Sequence, residues 1–517
     1  MKINLLVLFT VIMLVGCSKK TSGSELSTIT ISSYAPQTPV IKGIVNNPFL
    51  RMDVTILNND ASQSFKKIKY TLNTIGVNEI EKIEAFLSPT ASFSNTNLIG
   101  SVTQISANGE IPVNIHLPEG LNFIWLSVVL KSDALIQQKI EMHCTQLLDQ
   151  LNNTFNVSQG NSVYSKYTGV SVRKAGEDNV NTYRIPGIIT TDKGTLLSVY
   201  DIRYNSSGDL PGNIDVGLSR STNGGTTWEA MKVIMDMGAP NENNGVGDPS
   251  ILFDPITKKI FVAALWSKGN RSIAGSLPGL SPDTTGQFVI VSSEDDGITW
   301  TAPYSITPQV KNPIWNLFFN GPGRGIAMKD GKLVFAAQYW NENKIPYSTI
   351  IYSNDHGASW NGNILGPKSN TTESQVVETQ PGKLMLNMRD NRGGYRSVAT
   401  TSNMGSTWTE HATSYSALAD PVCMGSLIKE KMNIKGTLMD VLLFSNPNTN
   451  TGRYNITIKG SLDLGETWLS TNQLLIDERQ CYGYSSLTKV DDKTIGILYE
   501  GVKDLYFVKV PVSEIIK

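Results

Sequence analysis

The sequence predicts an all-β protein in which a six-bladed β-propeller follows a small β-sandwich. Two observations predict this fold: a composition typical of turn-rich β proteins, and a motif that occurs five times in the second part of the chain. Only 17% of the 517 residues are charged, while 44 are glycine and 23 are proline. Glycine and proline mark the turns between strands. A chain of this length holds more than one domain, because single cores stop growing at roughly 250–300 residues.

The first residues are typical of an export signal. An apolar run from Ile3 to Gly16 is too short to span a bilayer comfortably, and it ends directly before a cysteine. The sequence Leu-Val-Gly-Cys resembles the cleavage box of bacterial lipoproteins. This resemblance implies a signal peptide over residues 1–16, then a lipid-bearing Cys17 and a polar tether over residues 17–26. We expect an exported bacterial lipoprotein anchored in the outer membrane, on its periplasmic face or at the cell surface. The alternative is an ordinary secretory signal.

The charge balance disfavours two classes of partner. The chain has 44 basic and 45 acidic residues, so no net field attracts nucleic acid or an anionic membrane surface. Beyond Cys17 the cysteines are Cys144, Cys423 and Cys481, an odd number far apart, which predicts no disulfide framework. These cysteines and the four histidines lack the spacing of a metal site, and we expect neither metal nor cofactor.

Residues 27–150 predict the β-sandwich. Segments such as "RMDVTIL" and "IPVNIHL" alternate apolar and polar residues, and Asn, Gly, Pro or Ser bounds each of them. Alternation with a period of two indicates strands with one buried face. The sequence leaves two interpretations of this domain: it binds a glycan, or it packs against the domain that follows.

Residues 160–517 carry the repeats that predict the propeller. Their shared pattern is Ser/Thr-x-Asp/Asn-x-Gly-x-Thr/Ser-Trp. The copies lie at 221–228, 293–300, 353–360, 401–408 and 461–468. The Asp or Asn and the hydroxyls bond to the backbone of a turn, Gly takes a positive φ, and Trp packs between neighbouring sheets. The Trp residues are 72, 60, 48 and 60 positions apart, which suits one four-stranded sheet per repeat.

The strands of the first sheet read "RIPGIIT", "TLLSVYD", "DVGLSRS" and "TWEAMKVI". Analogous runs begin at five further positions and predict six sheets in total. These positions are Pro249, Gly325, Gln375, Gly425 and Tyr484. The sixth sheet has no repeat of its own, and we expect residues 167–174 to supply its outer strand and close the ring. In such a meander the start of strand one, the end of strand two and the start of strand three lie at one end.

This rule brings nine polar residues to one end of the ring. They are Arg184, Arg203, Asp209, Asp248, Glu373, Arg389, Arg453, Tyr484 and Glu500. Any one of them alone is more simply a solvated rim residue. Together, however, several arginines at one end of the ring would repel each other unless an anion binds between them. Because guanidinium binds carboxylate in a planar, bidentate manner, the cluster predicts a substrate with a carboxylate group. Pro186, two residues after Arg184, predicts a break in the strand ladder.

Several of these segments resemble those of bacterial exo-α-sialidases of the Asp-box, six-bladed type. The matching segments are "YRIPG", the five repeats, "TESQVVE", "LNMRD", "FSNP" with a following Arg, "YGYSSL" and "ILYEG", and they cover residues 160–517. The resemblance implies that Arg184, Arg389 and Arg453 clamp the C1 carboxylate of sialic acid. It further implies that Tyr484 is the nucleophile.

The same resemblance implies roles for the remaining residues. Glu373 takes the proton of the nucleophile, and Asp209 is the acid/base. Arg203 and Asp248 contact the region of the C4 hydroxyl, and Glu500 steadies the first arginine. Arg392 and Arg396 are alternatives to Arg389, which fits better by its "MRD" context. Asn223 and Asn403 replace Asp in two repeats, which affects turns rather than chemistry.

We therefore expect a monomeric hydrolase that removes sialic acid from glycans, glycoproteins or glycolipids with net retention. A tyrosine suits this substrate because its anomeric carbon bears a carboxylate that would repel an anionic nucleophile. Two alternatives stay open. The propeller binds sialoglycans without catalysis, or it is a trans-sialidase or an intramolecular trans-sialidase with the same core residues.

Overall fold

The computed structural model of the protein describes residues 28–57, 63–136, 138–158, 163–269 and 271–517. The predicted signal peptide, Cys17 and the tether lie outside these residues. Strands dominate, as the composition predicted, and the all-β fold class is confirmed. Within the described ranges no helix has both the length and the apolar character needed to cross a membrane.

The first domain is a sandwich of two sheets around one apolar core. One sheet has the order β1-β3-β8-β5-β6, and β9-β4-β7 with β10 at its edge form the other. The elements are β1 (Thr28–Tyr34), β2 (Val40–Lys42), β3 (Asn47–Leu57), β4 (Ser64–Leu72), α1 (Thr74–Glu79), β5 (Ile80–Ser88), β6 (Leu98–Val102), β7 (Asn108–His116), β8 (Gly120–Leu130), β9 (Lys139–Asp149) and β10 (Thr154–Asn156). Alternate side chains such as Met52, Ile68 and Ile124 fill the core. Strand β10 lies beyond residue 150, the predicted end of this domain.

Six sheets follow, and most are four-stranded meanders. A strand that precedes the first blade is β11 (Tyr164–Arg173). The first blade contains β12 (Thr182–Thr190), β13 (Leu196–Arg203), β14 (Ile214–Ser221) and β15 (Lys232–Met235). The second contains β16 (Val246–Phe253), β17 (Ile260–Trp266), β18 (Gln287–Ser293) and β19 (Tyr304–Ser305), followed by α2 (Thr307–Val310). The third contains β20 (Leu317–Asn320), β21 (Gly323–Arg324), β22 (Ile326–Ala327), β23 (Leu333–Trp340) and β24 (Pro346–Ser353).

The last three blades repeat this plan. The fourth contains β25 (Thr371–Gln380), β26 (Lys383–Asp390), β27 (Gly394–Tyr395), β28 (Ser397–Thr401), β29 (Thr409–Glu410) and β30 (Ala419–Asp420). The fifth contains β31 (Ser426–Ile434), β32 (Thr437–Pro447), β33 (Ile456–Ser461) and β34 (Gln473–Asp477). The sixth contains β35 (Ser485–Asp491), β36 (Thr494–Glu500) and β37 (Leu505–Pro511), followed by α3 (Val512–Ile515). Short 3-10 turns lie at Glu177–Asn179, Asn241–Asn243 and Ile273–Gly275.

The first strands of the blades contact one another in sequence and close into a ring. β12 contacts β16, and contacts continue through β22, β25, β31 and β35 back to β12. Strand β11 completes the sixth blade, since its residues Gly169–Arg173 pair with β37. Residues Tyr164–Tyr167 of the same strand pair with β9 of the sandwich. The predicted closing strand is therefore confirmed, and it also joins the two domains.

The repeated turns have the structure that their residue types predicted. In the second blade Asp295 Oδ1 accepts hydrogen bonds from the Ser293 hydroxyl (2.9 Å) and the Thr299 amide (2.7 Å). Ser293 Oγ in turn accepts from the amide of Gly297 (2.9 Å), whose φ is +81°. The left-handed conformation explains why glycine occupies this position in every copy.

The turns also connect neighbouring blades. The ring of Trp228 in the first blade packs edge-on against Phe507 of the sixth, with 5.4 Å between ring centroids. Trp360 of the third blade packs against Phe261 of the second at 6.0 Å. Such aromatic contacts bury large apolar surfaces between sheets and stabilise the ring.

The third blade begins earlier than predicted. Its innermost strand starts at Leu317, in β20, and not at Gly325. The strand is interrupted where β21 turns aside to pair in parallel with β16, and it resumes in β22, which like β20 pairs with β23. Glycines allow this break: a Cβ on Gly321 would lie 2.7 Å from the carbonyl oxygen of Ser374. Glu373, predicted to precede the first strand of the fourth blade, instead lies within β25.

The sandwich is held against the propeller by direct hydrogen bonds. The amide of Glu478 donates to the carbonyl of Gln37 (2.9 Å), and its carboxylate accepts from the Tyr34 hydroxyl (2.9 Å). Lys42 donates to the carbonyl of Thr226 in a propeller turn (2.8 Å). These contacts favour the packing interpretation of the first domain.

Candidate active site

A cavity of about 220 Å³ opens where the first strands of the blades begin, and charged side chains line it. Seven of the nine predicted residues lie in its wall: Arg184, Asp209, Asp248, Glu373, Arg389, Arg453 and Tyr484. Apolar side chains, including Ile273, Phe319 and Trp340, also line it. The cavity therefore combines cationic, acidic and apolar side chains, and this mixture suits a sugar acid.

Two β-bulges aim side chains into this cavity. The pairing of β12 with β13 shifts between Arg184 and Gly187, and the pairing of β16 with β17 shifts between Gly247 and Ser250. In each bulge one residue has a positive φ, +56° at Ile185 and +58° at Asp248. This conformation is strained for Ile185, because its side chain is β-branched. Proline follows in both cases, at a position where no ladder bond is made, as predicted for Pro186.

Glu500 is the buried carboxylate that fixes Arg184. Its Oε1 accepts from Arg184 Nε (3.1 Å) and from the amide of Ile185 (2.9 Å). Its Oε2 accepts from the amide of Tyr484 (2.9 Å). Burial alone would lower the pKa of Arg184, but the charge of Glu500 outweighs it and raises that pKa. Glu500 thus connects the first blade to the residue that opens the sixth.

Tyr484 lies at the base of the cavity against a carboxylate and a guanidinium. Its hydroxyl donates to Glu373 Oε1 (2.5 Å) and accepts from Arg389 Nη1 (3.0 Å). Arg389 Nη1 also donates to Glu373 Oε2 at 2.5 Å. Burial raises the pKa of Tyr484 well above its usual value, Glu373 raises it further, and Arg389 opposes them. The phenol is therefore neutral at neutral pH, and its proton already points at Glu373.

The three predicted arginines converge on Tyr484. The guanidinium carbons of Arg184 and Arg453 lie 5.4 and 5.6 Å from the centre of its ring, and Arg389 contacts its oxygen. Arg453 is held by the carbonyls of Tyr482 (2.9 Å) and Val422 (3.1 Å). Each cation is thus anchored by a carboxylate or by carbonyls, which offsets their mutual repulsion.

Arg203 and Asp209 form a second charged group at the edge of the cavity. Arg203 is buried behind the wall, and its Nη1 lies 2.7 Å from Asp209 Oδ1. The same carboxylate oxygen is 3.8 Å from Arg184 Nη1. The side chain of Asp209 is 67% exposed, so it is the one most open to solvent among these groups. It lies on the loop between β13 and β14.

Asp201 is a charged residue that the sequence interpretation missed. Its buried carboxylate accepts from Arg203 Nε (3.1 Å) and Nη2 (2.9 Å) and from the amide of Asp248 (2.8 Å). Burial raises the pKa of Asp201 to about 6 and that of Asp248 well above its usual value. The sequence did contain a signal for this residue, because Asp201 is the one acidic residue in the largely apolar strand "LLSVYDIR".

The alternatives to Arg389 lie elsewhere. Arg392 is bound to Asp390 (2.9 Å), and its side chain is 41% exposed. Arg396 is fully buried and donates to Asn387 Oδ1 (2.7 Å) and to the carbonyl of Cys423. Arg389 lines the cavity, whereas Arg392 and Arg396 are not among the lining residues. The cysteines Cys144, Cys423 and Cys481 are buried and free.

Comparison with known families gives two matches that together cover both domains. The family described as the N-terminal domain of BNR-repeat neuraminidase matches residues 27–153. The family described as a BNR repeat-like domain matches residues 185–500, more than half of the chain. The order of the two matches is that of the sandwich and the propeller.

Individual proteins with known names are also similar. A sialidase of Bacteroides fragilis (strain YCH46) is 46% identical over 441 residues, which are 83% of this chain and 80% of that protein. A solved Hadza microbial sialidase superimposes with a TM-score of 0.87 and 37% identity, over 94% of this chain and all of the other. A Ruminococcus gnavus intramolecular trans-sialidase, solved with oseltamivir carboxylate, has a TM-score of 0.56 and 19% identity, over 66% and 97%, and shares the fold alone.

Proposed function

The chain belongs to the BNR-repeat neuraminidase family of exo-α-sialidases, which are glycoside hydrolases, and from this premise we propose how it cleaves sialic acid from glycans. The proposed reaction removes terminal α-linked sialic acid with net retention through a covalent intermediate on Tyr484. The observation that carries this proposal is the contact of the Tyr484 hydroxyl with Glu373, beside three arginines in one cavity.

The first step is recognition of the substrate carboxylate. Arg184, Arg389 and Arg453 present guanidinium groups from the first, fourth and fifth blades around the ring of Tyr484. A C1 carboxylate held among them brings the adjacent anomeric carbon to the phenol oxygen. Because carboxylate and guanidinium match in shape as well as charge, this clamp fixes orientation as well as affinity.

The second step is attack by Tyr484. An Asp or Glu nucleophile would be repelled by the carboxylate already bonded to the anomeric carbon, and a neutral phenol is not. The phenol proton passes to Glu373 Oε1, to which it is hydrogen-bonded, as the oxygen bonds to the anomeric carbon. Arg389 contacts both the phenol oxygen and Glu373, so it stabilises negative charge on either one.

The remaining proton transfers belong to Asp209. Its exposed carboxyl group, at the edge of the cavity, protonates the leaving glycan oxygen. It then takes a proton from the water that attacks the tyrosyl intermediate, and Glu373 returns its proton to Tyr484. Two displacements at one carbon give net retention.

We extend the proposal to the location and assembly of the enzyme. Cleavage before Cys17 and lipidation of its thiol would anchor a monomer to the outer membrane, where it meets glycoproteins and glycolipids. In the Cys17→Ser variant the protein should move from the membrane fraction to the soluble fraction and lose incorporation of labelled fatty acid. Membrane retention of that variant would refute the anchor.

Product analysis by NMR tests the reaction. Sialosides with α2,3, α2,6 and α2,8 linkages are incubated with the enzyme, and the anomeric signals are followed from the first turnovers. Retention predicts that α-sialic acid appears first and then mutarotates. Initial β-sialic acid would refute the tyrosyl mechanism. A 2,7-anhydro product, transfer to a second glycan or no release would favour the trans-sialidase or binding alternatives.

A further inference from the structure

The third arginine of the cavity is anchored differently from the other two. Arg184 and Arg389 each bond to a carboxylate. Within the part of the chain that the structure describes, the guanidinium of Arg453 bonds instead to the carbonyls of Tyr482 (2.9 Å) and Val422 (3.1 Å). Because a carbonyl belongs to the main chain, the position of Arg453 depends on how firmly these two segments are held.

Val422 lies in the short segment that connects the fourth blade to the fifth, residues 421–425 between β30 and β31. Its φ is +60°, in the left-handed region that a β-branched residue rarely adopts. Such a conformation persists only where the surrounding structure imposes it. The next two residues, Cys423 and Met424, are buried against Tyr484. The same segment therefore borders both Arg453 and the proposed nucleophile.

A buried ion pair imposes this conformation. The side chains of Arg396 and Asp420 are both 0% exposed, and Arg396 Nη1 lies 3.4 Å from Asp420 Oδ2. Asp420 Oδ1 accepts from the amide of Cys423 (2.9 Å), and Arg396 Nη1 donates to the carbonyl of the same cysteine. The pair thus holds both main-chain polar groups of the residue that directly follows Val422.

The ion pair is itself fixed by neighbours on two blades. Arg396 Nε donates to Asn387 Oδ1 (2.7 Å) on β26 of the fourth blade. Asp420 Oδ2 accepts from Asn446 Nδ2 (3.1 Å) on β32 of the fifth blade. Breaking any of these bonds would leave a buried polar or charged group unpaired, which is costly. The segment is therefore tied to both of the blades that it connects.

We propose that Asp420 is a positioning residue for Arg453. Together with Arg396 it holds the Val422 carbonyl at the guanidinium, and thereby fixes the third arginine of the carboxylate clamp. The inference rests on the proposed function, because it assumes that Arg453 binds the C1 carboxylate of sialic acid. Neither Asp420 nor Arg396 lines the cavity, so their effect on the substrate passes through Arg453.

The test is a double-mutant cycle of Asp420→Asn and Arg453→Ala, with steady-state kinetics on a fluorogenic sialoside. The asparagine keeps an oxygen for the Cys423 amide but loses the charge that pairs with Arg396. We expect kcat/KM of Asp420→Asn to fall by about tenfold, mainly through KM, because a misplaced clamp weakens binding before and during the reaction alike. In the Arg453→Ala background the same change should cost less than about twofold, since the positioned cation is already gone.

A merely structural role gives a different result. If the losses of the two single variants multiply in the double variant, or if Asp420→Asn keeps the wild-type KM, the inference is wrong. Asp254→Asn is the matched control. Asp254 is also a buried carboxylate, paired with His356 (2.8 Å) in the turn after β16, at the end of the blade away from the cavity. This control should keep the wild-type KM even if its melting temperature falls.

Asp420→Asn leaves the cation of Arg396 buried beside a neutral amide, which can prevent folding. In that case the variant with both Arg396→Met and Asp420→Asn replaces it in the cycle, because it removes the two charges together. It should show the same rise in KM, and again no further loss in the Arg453→Ala background.

The outcomes also separate this inference from the proposed function. A wild type that releases no sialic acid from the sialoside contradicts the proposed function. An active wild type in which Arg453→Ala keeps the full kcat/KM contradicts both the clamp and the inference. An active wild type with independent losses in the cycle contradicts the role of Asp420 alone.

Discussion

The hydroxyl of Tyr484 donates a hydrogen bond of 2.5 Å to Glu373 Oε1, although 111 positions separate the two residues in the chain. One opens the sixth blade and the other lies in a bulge of the fourth blade's first strand, so the contact crosses the ring. Arg389 bonds to both, and all three are largely buried. The pair is therefore assembled by the fold before substrate arrives, as an efficient site requires.

Tyr484→Phe tests the nucleophile. Phenylalanine keeps the ring that packs against Ile185, Cys423 and Met424 but removes the oxygen that attacks. We expect kcat to fall by roughly 10³-fold or more, as for other lost nucleophiles, with little change in thermal stability. Steady-state kinetics and a melting curve provide the measurement. Turnover close to that of the wild type would refute the assignment.

Glu373→Gln tests the base. The amide cannot take the phenol proton, and we expect kcat to fall roughly 10²- to 10⁴-fold. Glu378→Gln is the matched control, because Glu378 lies on the same strand but bonds to the amides of Lys329 and Gly382 at the far end. The control should retain wild-type activity. Equal losses in both variants would indicate a defect of strand β25 rather than of proton transfer.

Arg389→Ala tests the carboxylate clamp. Removing this cation leaves Glu373 without its partner and the substrate carboxylate without a donor, which costs on the order of 2–5 kcal/mol of transition-state stabilisation. The expected result is a corresponding loss in kcat/KM. In Arg392→Ala, three residues later, the ion pair with Asp390 and a bond to Ser369 are lost outside the cavity, and activity should persist. If Arg392→Ala lost more activity than Arg389→Ala, Arg392 and not Arg389 would be the residue that binds the substrate carboxylate.

Asp215 should make stability depend on pH. Burial, and secondly the charge of Asp236, raise the pKa of Asp215 from its ordinary 3.8 to about 6. Between these values the folded protein holds a proton that the unfolded chain has released, so Asp215 lowers the free energy of unfolding as pH rises through this window. The effect reaches at most about 3 kcal/mol.

The Asp215→Asn variant checks this sign. Urea unfolding gives the free energy of unfolding of the variant and of the wild type. The gain of the variant over the wild type should be larger at about pH 7.5 than at about pH 4. Asp236→Asn should act in the same direction but less, because it removes only the secondary cause. A relative stability that is equal at both pH values would contradict the prediction.

The fold was predictable because its signals are local. Each Asp-box turn is specified by residues within eight positions, such as Ser293, Asp295 and Gly297, whose hydrogen bonds close within the turn. The start of the third blade was not predictable, because β21 leaves the sheet to pair with β16 of the neighbouring second blade. Asp201 was missed for a related reason: one of its partners, the Asp248 amide, comes close to it only when the first and second blades pack together.

The sequence by itself determined the number of blades and the end of the ring at which the charged residues gather. Consecutive strands of a meander run in opposite directions, and this does not depend on contacts between distant parts of the chain. A residue's position along the chain therefore decides at which end of the blade it lies. Only the tertiary structure decided which of these residues touch. Ring closure brings Tyr484 to Glu373, and bulges at Ile185 and Asp248 turn strand ends inward, because partners far apart in the chain are selected by packing between blades and not by spacing.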